Sequence, residues 1–261
     1  MKKSLVLLFV NVLFLNFGFS QNTRLTTENK IGWFNYFGTF KINKKVGIHT
    51  EYQFRRAELI EKWQQSLLRI GINYQIDPKV QFRIGYAWIA TYPYGEIPIN
   101  SMGKDFSEHR FFQMITLTDK IMNLDISNRF VLEQRWVGKY STADLTTADS
   151  YPFLNRFRYL SKIQIPLNWI KSKGEKPYIA LYDEIFISFG ENVGENIFDQ
   201  NRVGVLFGMR INPTLKLETG YLNQTIQLGR EINNRNVFQN NNGVILNVIF
   251  NFDLKINGSK K

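Results

Sequence analysis

The sequence predicts an all-β fold, a transmembrane antiparallel up-and-down β-barrel of about twelve strands, with ten strands as the alternative. Three observations predict it. Segments of about ten residues alternate between apolar and polar side chains, the polar faces carry arginine and glutamate at mid-strand, and short links alternate with longer polar ones. A soluble β-sandwich also alternates, but its inward faces form an apolar core, so charges at mid-strand favour the membrane barrel.

The first element is an N-terminal segment, residues 1–20, with the layout of a cleaved secretory signal peptide. Two lysines precede an apolar run, and the small residues Gly18 and Ser20 precede a cleavage site at Gln21. A membrane anchor is the alternative, but the run is shorter than the ~20 apolar residues of a spanning helix. We therefore expect residues 21–261 to form a single outer-membrane β-barrel domain.

Eleven strands follow from the alternation. In VQFRIGYAW, residues 80–88, every second residue from Val80 to Trp88 is large and apolar, and Gln81 and Arg83 lie on the opposite face. Each strand has about the 9–11 residues that cross a bilayer at a tilt. The same pattern predicts clear strands at 46–55, 68–76, 124–136, 201–211 and 244–254 and weaker ones at 31–42, 106–118, 153–165, 178–189 and 215–226.

The links between strands predict which end of the barrel faces outward. Short turns alternating with long polar loops are typical of outer-membrane barrels, in which the turns are periplasmic and the loops extracellular. Short links are expected at 43–45, 77–79, 119–121 and 212–214, a medium one at 168–176, and longer ones at 92–104, 138–152, 190–200 and 227–241; the link at 58–61 is short although it falls on the loop side. Strict alternation makes the strand at 31–42 start outside, whereas the N-terminus should be periplasmic and bacterial barrels usually close with an even number of strands. Either residues 21–30 form a further strand or pass through the lumen, or the count of eleven is wrong; we expect twelve strands, with ten as the alternative.

The amino-acid composition limits the classes of cofactor and partner that we expect for this protein. The chain has no cysteine, and with His49 and His109 as its only histidines it offers no conventional zinc site and no cofactor motif. The net charge of +11 falls to +9 when Lys2 and Lys3 leave with the signal peptide. A net positive charge is typical of proteins that bind nucleic acid, but export of the chain argues against that partner. The aromatic content of 15% is typical of proteins at a membrane interface. We expect outer-membrane lipid and the barrel-assembly machinery as partners, with any solute unknown.

Several short motifs resemble a known family. EHRFFQ at 108–113, LEQRW at 132–136, NRFRY at 155–159, YDEIF at 182–186 and the opening pair of strands around Trp33 and Phe54 resemble the signature strands of domain-of-unknown-function family 2490. The resemblance spans nearly all of the expected mature chain. It implies an outer-membrane β-barrel of a Gram-negative bacterium with no established function, and it carries over no catalytic residue.

The charged residues on the inward faces are the candidate site. One interpretation is an interlocked ion-pair network that fills the lumen in place of an apolar core, and the other is a narrow channel for small anionic solutes, because cations outnumber anions. The strongest positive patch is expected where Arg156 and Arg158 face Arg129 and Arg135, with Glu133 neutralising part of it. The expected lumen charge network comprises Glu51, Arg55, Arg69, Arg83, Glu108, Arg110, Arg129, Glu133, Arg135, Arg156, Arg158, Glu184, Arg202 and Arg210.

The stretch FSEHRFFQM at 106–114 raises a more distant alternative, an esterase similar to outer-membrane phospholipase. Ser107 and His109 lie two residues apart and therefore share the lipid-facing side of one strand. A serine nucleophile requires a base, and the base requires an orienting partner. A tight turn at 119–121 pairs His109 with about Val131, which leaves Asn128 and Gln134 too remote to orient it. We therefore expect no enzyme.

Overall fold

The computed structural model describes residues 24–170, 177–193 and 196–254, and within them all regular structure is β. The residues of the expected signal peptide lie outside this part. None of the described residues forms a helix that is long and apolar enough to cross a membrane. The strands are β1 (Arg24–Lys41), β2 (Val46–Ala57), β3 (Lys62–Asp77), β4 (Val80–Thr91), β5 (Phe106–Ile121), β6 (Leu124–Val137), β7 (Phe153–Pro166), β8 (Tyr178–Phe189), β9 (Phe198–Arg210), β10 (Leu215–Ile232) and β11 (Arg235–Asp253).

These strands close into a single barrel in which each strand pairs with its neighbours in sequence and β1 pairs with β11. The all-β barrel fold is confirmed, with eleven strands in the described residues against the expected twelve. Residues 24–30 extend β1 rather than forming a further strand. Because consecutive strands run in opposite directions, the first and last of an odd number run the same way. The seam between β1 and β11 is therefore parallel, from Arg24 opposite Asn236 to Lys41 opposite Asp253.

The links divide the barrel into two ends. The turn end carries the links 42–45, 78–79, 122–123, 167–177 and 211–214, and the loop end carries 58–61, 92–105, 138–152, 190–197 and 233–234. Long links are confined to the loop end, apart from 167–177 at the turn end.

The expected long loop at 227–241 is wrong. These residues continue β10 and β11 to a two-residue turn at Asn233 and Asn234, both of which have positive φ, 51° and 55°. This is the geometry of a type I′ hairpin turn, which asparagine tolerates. The segment reads as a loop because its outward positions, such as Gln227 and Asn236, are polar too, so it shows no alternation.

The alternating sequence gives the barrel wall an apolar outer face and a polar inner one. On β3, Leu68, Ile70, Ile72 and Ile76 point outward and are each more than half exposed. On the inner face, charged and amide side chains are buried together with a few apolar clusters, one of which contains Phe112, Met114 and Val131. The buried interior of this molecule is thus mostly polar.

Candidate functional site

A glutamate near the middle of the lumen is the hub of the buried charges. Glu133 is 1% exposed and lies directly across the sheet from Arg156. Its Oε2 accepts hydrogen bonds from Nε and Nη2 of Arg156 at 2.9 and 2.6 Å, and its Oε1 accepts one from Nη1 of Arg158 at 2.7 Å. Arg110 and Arg69 approach the same carboxylate at 3.8 and 4.0 Å. Four guanidinium groups therefore surround one carboxylate.

Further carboxylates link these arginines into a continuous layer. Asp199 accepts hydrogen bonds from Arg135 at 3.0 Å and Arg156 at 2.9 Å. Glu108 accepts hydrogen bonds from both Arg110 and Arg135. Glu184 does the same for Arg129 at 2.9 Å and Arg158 at 2.7 Å. We call this set, with Glu133 and Arg69, the ion-pair layer.

Two smaller groups lie nearer the turn end. Glu51 is bound by Arg69, His49 and Gln53. Glu218 accepts hydrogen bonds from Lys162 at 2.7 Å and from the hydroxyl of Tyr178 at 2.6 Å, and Lys216 lies 3.2 Å away. Both carboxylates are almost fully buried, so each is compensated by cations as a low-dielectric interior requires.

Among the described contacts, three of the expected network residues donate to amide oxygens instead of to the carboxylates of the ion-pair layer. Arg83 donates to the amide oxygen of Asn73. Arg55 donates to the amide oxygens of Gln53 and Gln65, and Arg202 donates to that of Gln200. Arg210 is exposed at the turn end of β9. The patch of Arg129, Arg135, Arg156 and Arg158 that the sequence suggested as the most positive is instead neutralised by Glu108, Glu133, Glu184 and Asp199.

Sequence reasoning missed Asp199, which holds two arginines of the layer together. It fell within the expected loop at 190–200, whereas β9 begins at Phe198. The pairing of β8 with β9 shifts between Phe186 and Ile187, which lie opposite Gln200 and Phe198, so Asp199 is the extra residue of a bulge. A bulge breaks the two-residue period, and parity alone therefore gave no signal for this side chain.

A cavity of about 440 Å³ lies on the loop-end side of the ion-pair layer. We call it the outer vestibule. Its floor includes Arg55, Arg156 and Arg202, and the link 92–105 contributes residues such as Met102 to its wall. That link is held against the barrel by Tyr94, whose hydroxyl donates to Gln239 at 3.0 Å. Its lining carries seven basic side chains and two carboxylates, namely Arg55, Arg110, Arg135, Arg156, Arg202, Arg230 and Lys139 against Glu108 and Asp199.

The stretch FSEHRFFQM separates onto the two faces of β5. Glu108 and Arg110 are buried in the lumen, whereas Ser107 and His109 lie on the outer wall at the loop end. The β5–β6 turn falls at 122–123, so His109 lies opposite Trp136, and the expected pairing with Val131 is wrong. Ser107 pairs with the hydroxyl of Tyr151 at 3.0 Å and His109 with that of Tyr86. The described contacts thus give Ser107 no base.

The described residues contain no group of side chains placed to hold a metal ion. The outward residues around His109 are instead aromatic, with Trp88 and Trp136 directly beside it in the neighbouring strands. Rings of this kind, polar at one edge, are typical of the interfacial girdles of membrane barrels.

Three comparisons relate the chain to known proteins. The model of a family described as "Protein of unknown function (DUF2490)" matches residues 31–236. No curated protein matches the chain. Among solved structures, a NanC porin in a rhombohedral crystal form is 11% identical, with 84% of this chain and 97% of that chain covered and a TM-score of 0.46.

Proposed function

The chain belongs to the DUF2490 family of proteins of unknown function, and we propose that it is an integral outer-membrane β-barrel of a Gram-negative bacterium, with a structural role and a closed lumen. The proposal includes no enzymatic activity. Outer-membrane lipid and the barrel-assembly machinery are its partners. Export through a cleaved signal peptide at 1–20 is part of the same proposal.

The outer wall supports the membrane location. Five successive outward positions of β3 hold Leu68, Ile70, Ile72, Tyr74 and Ile76, each between 44% and 56% exposed. Soluble proteins rarely expose a contiguous apolar surface of this extent. Hydrocarbon removes that surface from water, and a closed barrel satisfies its backbone hydrogen bonds internally, as a bilayer requires.

The observation that carries the closed lumen is the burial of the ion-pair layer. Glu133 and Glu184 are only 1% and 3% exposed although they point into the lumen, and neither lines the outer vestibule. Side chains that line a water-filled path remain accessible to water, and these do not. Arginine suits such a layer because its planar fork binds two carboxylates at once.

A second candidate function is a narrow channel for small anionic solutes. The excess of basic side chains in the outer vestibule favours it, because fixed positive charge at a pore mouth attracts anions. Passage requires the ion-pair layer to rearrange, since the layer separates the vestibule from the turn end.

Conductance in planar bilayers tests these alternatives. We expect the refolded wild-type protein to show no current steps over a wide voltage range, and the double variant Glu133→Ala with Arg156→Ala to conduct, because two interlocked side chains of the layer are removed. Anion-selective steps from the wild type that Arg156→Glu abolishes would instead establish the channel. The membrane location has its own test, since purification as a soluble monomer without detergent contradicts it.

A further inference from the structure

We propose that the outer vestibule binds a small organic oxyanion, a phosphate ester or a carboxylate, between Arg55 and Arg202. This goes beyond the structural role proposed above and does not depend on whether the lumen conducts. Both arginines line the cavity, and they are only 5% and 9% exposed.

These two arginines differ from those of the ion-pair layer in having no carboxylate at hydrogen-bonding distance. Among the described residues, no carboxylate oxygen lies within 4 Å of the Arg55 guanidinium, which donates to Gln65 Oε1 at 2.7 Å and to Gln53 Oε1 at 2.9 Å. Arg202 donates to Gln200 Oε1 at 3.0 and 3.2 Å. Its closest carboxylate oxygen, on Glu184, is 3.7 Å away. Neutral amide oxygens therefore occupy the positions that carboxylates occupy beside the arginines of the ion-pair layer.

The two positive charges are also close to each other. Both guanidinium groups lie over the same indole ring, with the Cζ atoms of Arg55 and Arg202 at 3.9 and 4.9 Å from the centroid of Trp33. The ring face offsets part of the charge through cation–π attraction. Among the described residues, Arg55 has no carboxylate within 4 Å and Arg202 has one only at 3.7 Å, so the two buried like charges are only partly compensated, which is unfavourable. An oxyanion between them removes this repulsion and accepts charge-assisted hydrogen bonds from both forks.

The remaining lining indicates an organic anion rather than a bare ion. The cavity of about 440 Å³ lies within the ~300–1,000 Å³ range of small-molecule sites. Gln65, Thr91, Ser188 and Gln224 add amide and hydroxyl groups around the arginines, and these suit hydroxyl groups on the body of the ligand. The lipid headgroups are excluded as the ligand because the barrel wall surrounds the site.

Calorimetric titration of the full-length protein folded in detergent tests the proposal, with glucose 6-phosphate, glucuronate and uncharged glucose as probes at low salt. We expect at least one of the two anions to bind and glucose not to bind. Arg55→Gln and Arg202→Gln are each expected to weaken the binding at least tenfold. Arg83→Gln is the matched control, because Arg83 is also a lumen arginine held by an amide but does not line the vestibule. Absence of anion binding, equal binding of glucose, or equal weakening by Arg83→Gln overturns the proposal.

Thermal unfolding without ligand separates a binding role from a structural one. Arg55→Gln removes an uncompensated charge, so we expect the melting temperature to stay the same or rise. Arg158→Gln breaks hydrogen bonds to Glu133 and Glu184 and is expected to lower it. If Arg55→Gln lowers the melting temperature as much as Arg158→Gln, Arg55 belongs to the structural network and the proposed site is wrong. The planar-bilayer conductance described above tests the closed lumen, so a failure of that proposal can be distinguished from a failure of the anion-binding site.

Discussion

Replacing Glu133 with glutamine removes the negative charge at the hub of the ion-pair layer while keeping the volume of the side chain. The carboxylate is 1% exposed and accepts three hydrogen bonds from Arg156 and Arg158. Removing one partner of a buried ion pair costs about 3–5 kcal/mol. We expect the low end, about 3 kcal/mol, because Arg156 keeps Asp199 at 2.9 Å and Arg158 keeps Glu184 at 2.7 Å.

Urea unfolding of the protein folded into phospholipid vesicles, followed by tryptophan fluorescence, measures this change. With a urea dependence of about 3 kcal/mol per molar, the midpoint falls by about 1 M. The matched control is Glu58→Gln, whose carboxylate pairs with Lys62 at the exposed loop end and should leave the midpoint unchanged. The reasoning is refuted if the two variants unfold at the same urea concentration, because the buried layer then contributes nothing that an exposed pair does not.

Two further predictions concern the closure of the barrel and its hairpin turn. Gly243→Ala should prevent closure of the barrel, because a Cβ at this position overlaps the carbonyl oxygen of Ile31 across the parallel seam. This variant should lack the gel-mobility shift that the folded barrel shows when the sample is not heated. The control Gly229→Ala should retain the shift, because a Cβ there meets only the Asn196 amide at 3.8 Å. Asn234→Val should destabilise the β10–β11 turn by about 1–2 kcal/mol, because a β-branched residue disfavours positive φ, and Asn234→Gly should unfold at the same urea concentration as the wild type or a higher one. Equal stability of the two Asn234 variants contradicts the turn geometry.

Much of the fold could be predicted from the sequence because the face of a strand on which a residue lies is a local property. Alternation identified all eleven strands, and it assigned Glu108 and Arg110 to the inside and His109 to the outside of β5. It failed where the period is broken or hidden. The bulge at Asp199 breaks it, and the polar outward residues of β10 and β11 near Asn233 hide it.

The candidate site was less predictable because ion pairing depends on the register between strands. Moving the β5–β6 turn to 122–123 changed the residue opposite His109 from the expected Val131 to Trp136. The pairing between strands also decides which lumen arginines are neutralised. Arg156 lies opposite Glu133 and contacts Asp199, so it is neutralised, whereas Arg55 has amide partners and remains uncompensated.

The sequence by itself determined that this chain forms a barrel with an apolar outer wall and a charged interior, because side chains on a strand alternate with a period of two whatever the strand pairs with. Only the tertiary structure decided how the barrel closes and which charges meet. The parallel seam joins Arg24–Lys41 to Arg235–Asp253, segments more than 190 residues apart. The ion-pair layer and the outer vestibule likewise depend on side chains from several strands meeting in one lumen, which no local pattern encodes.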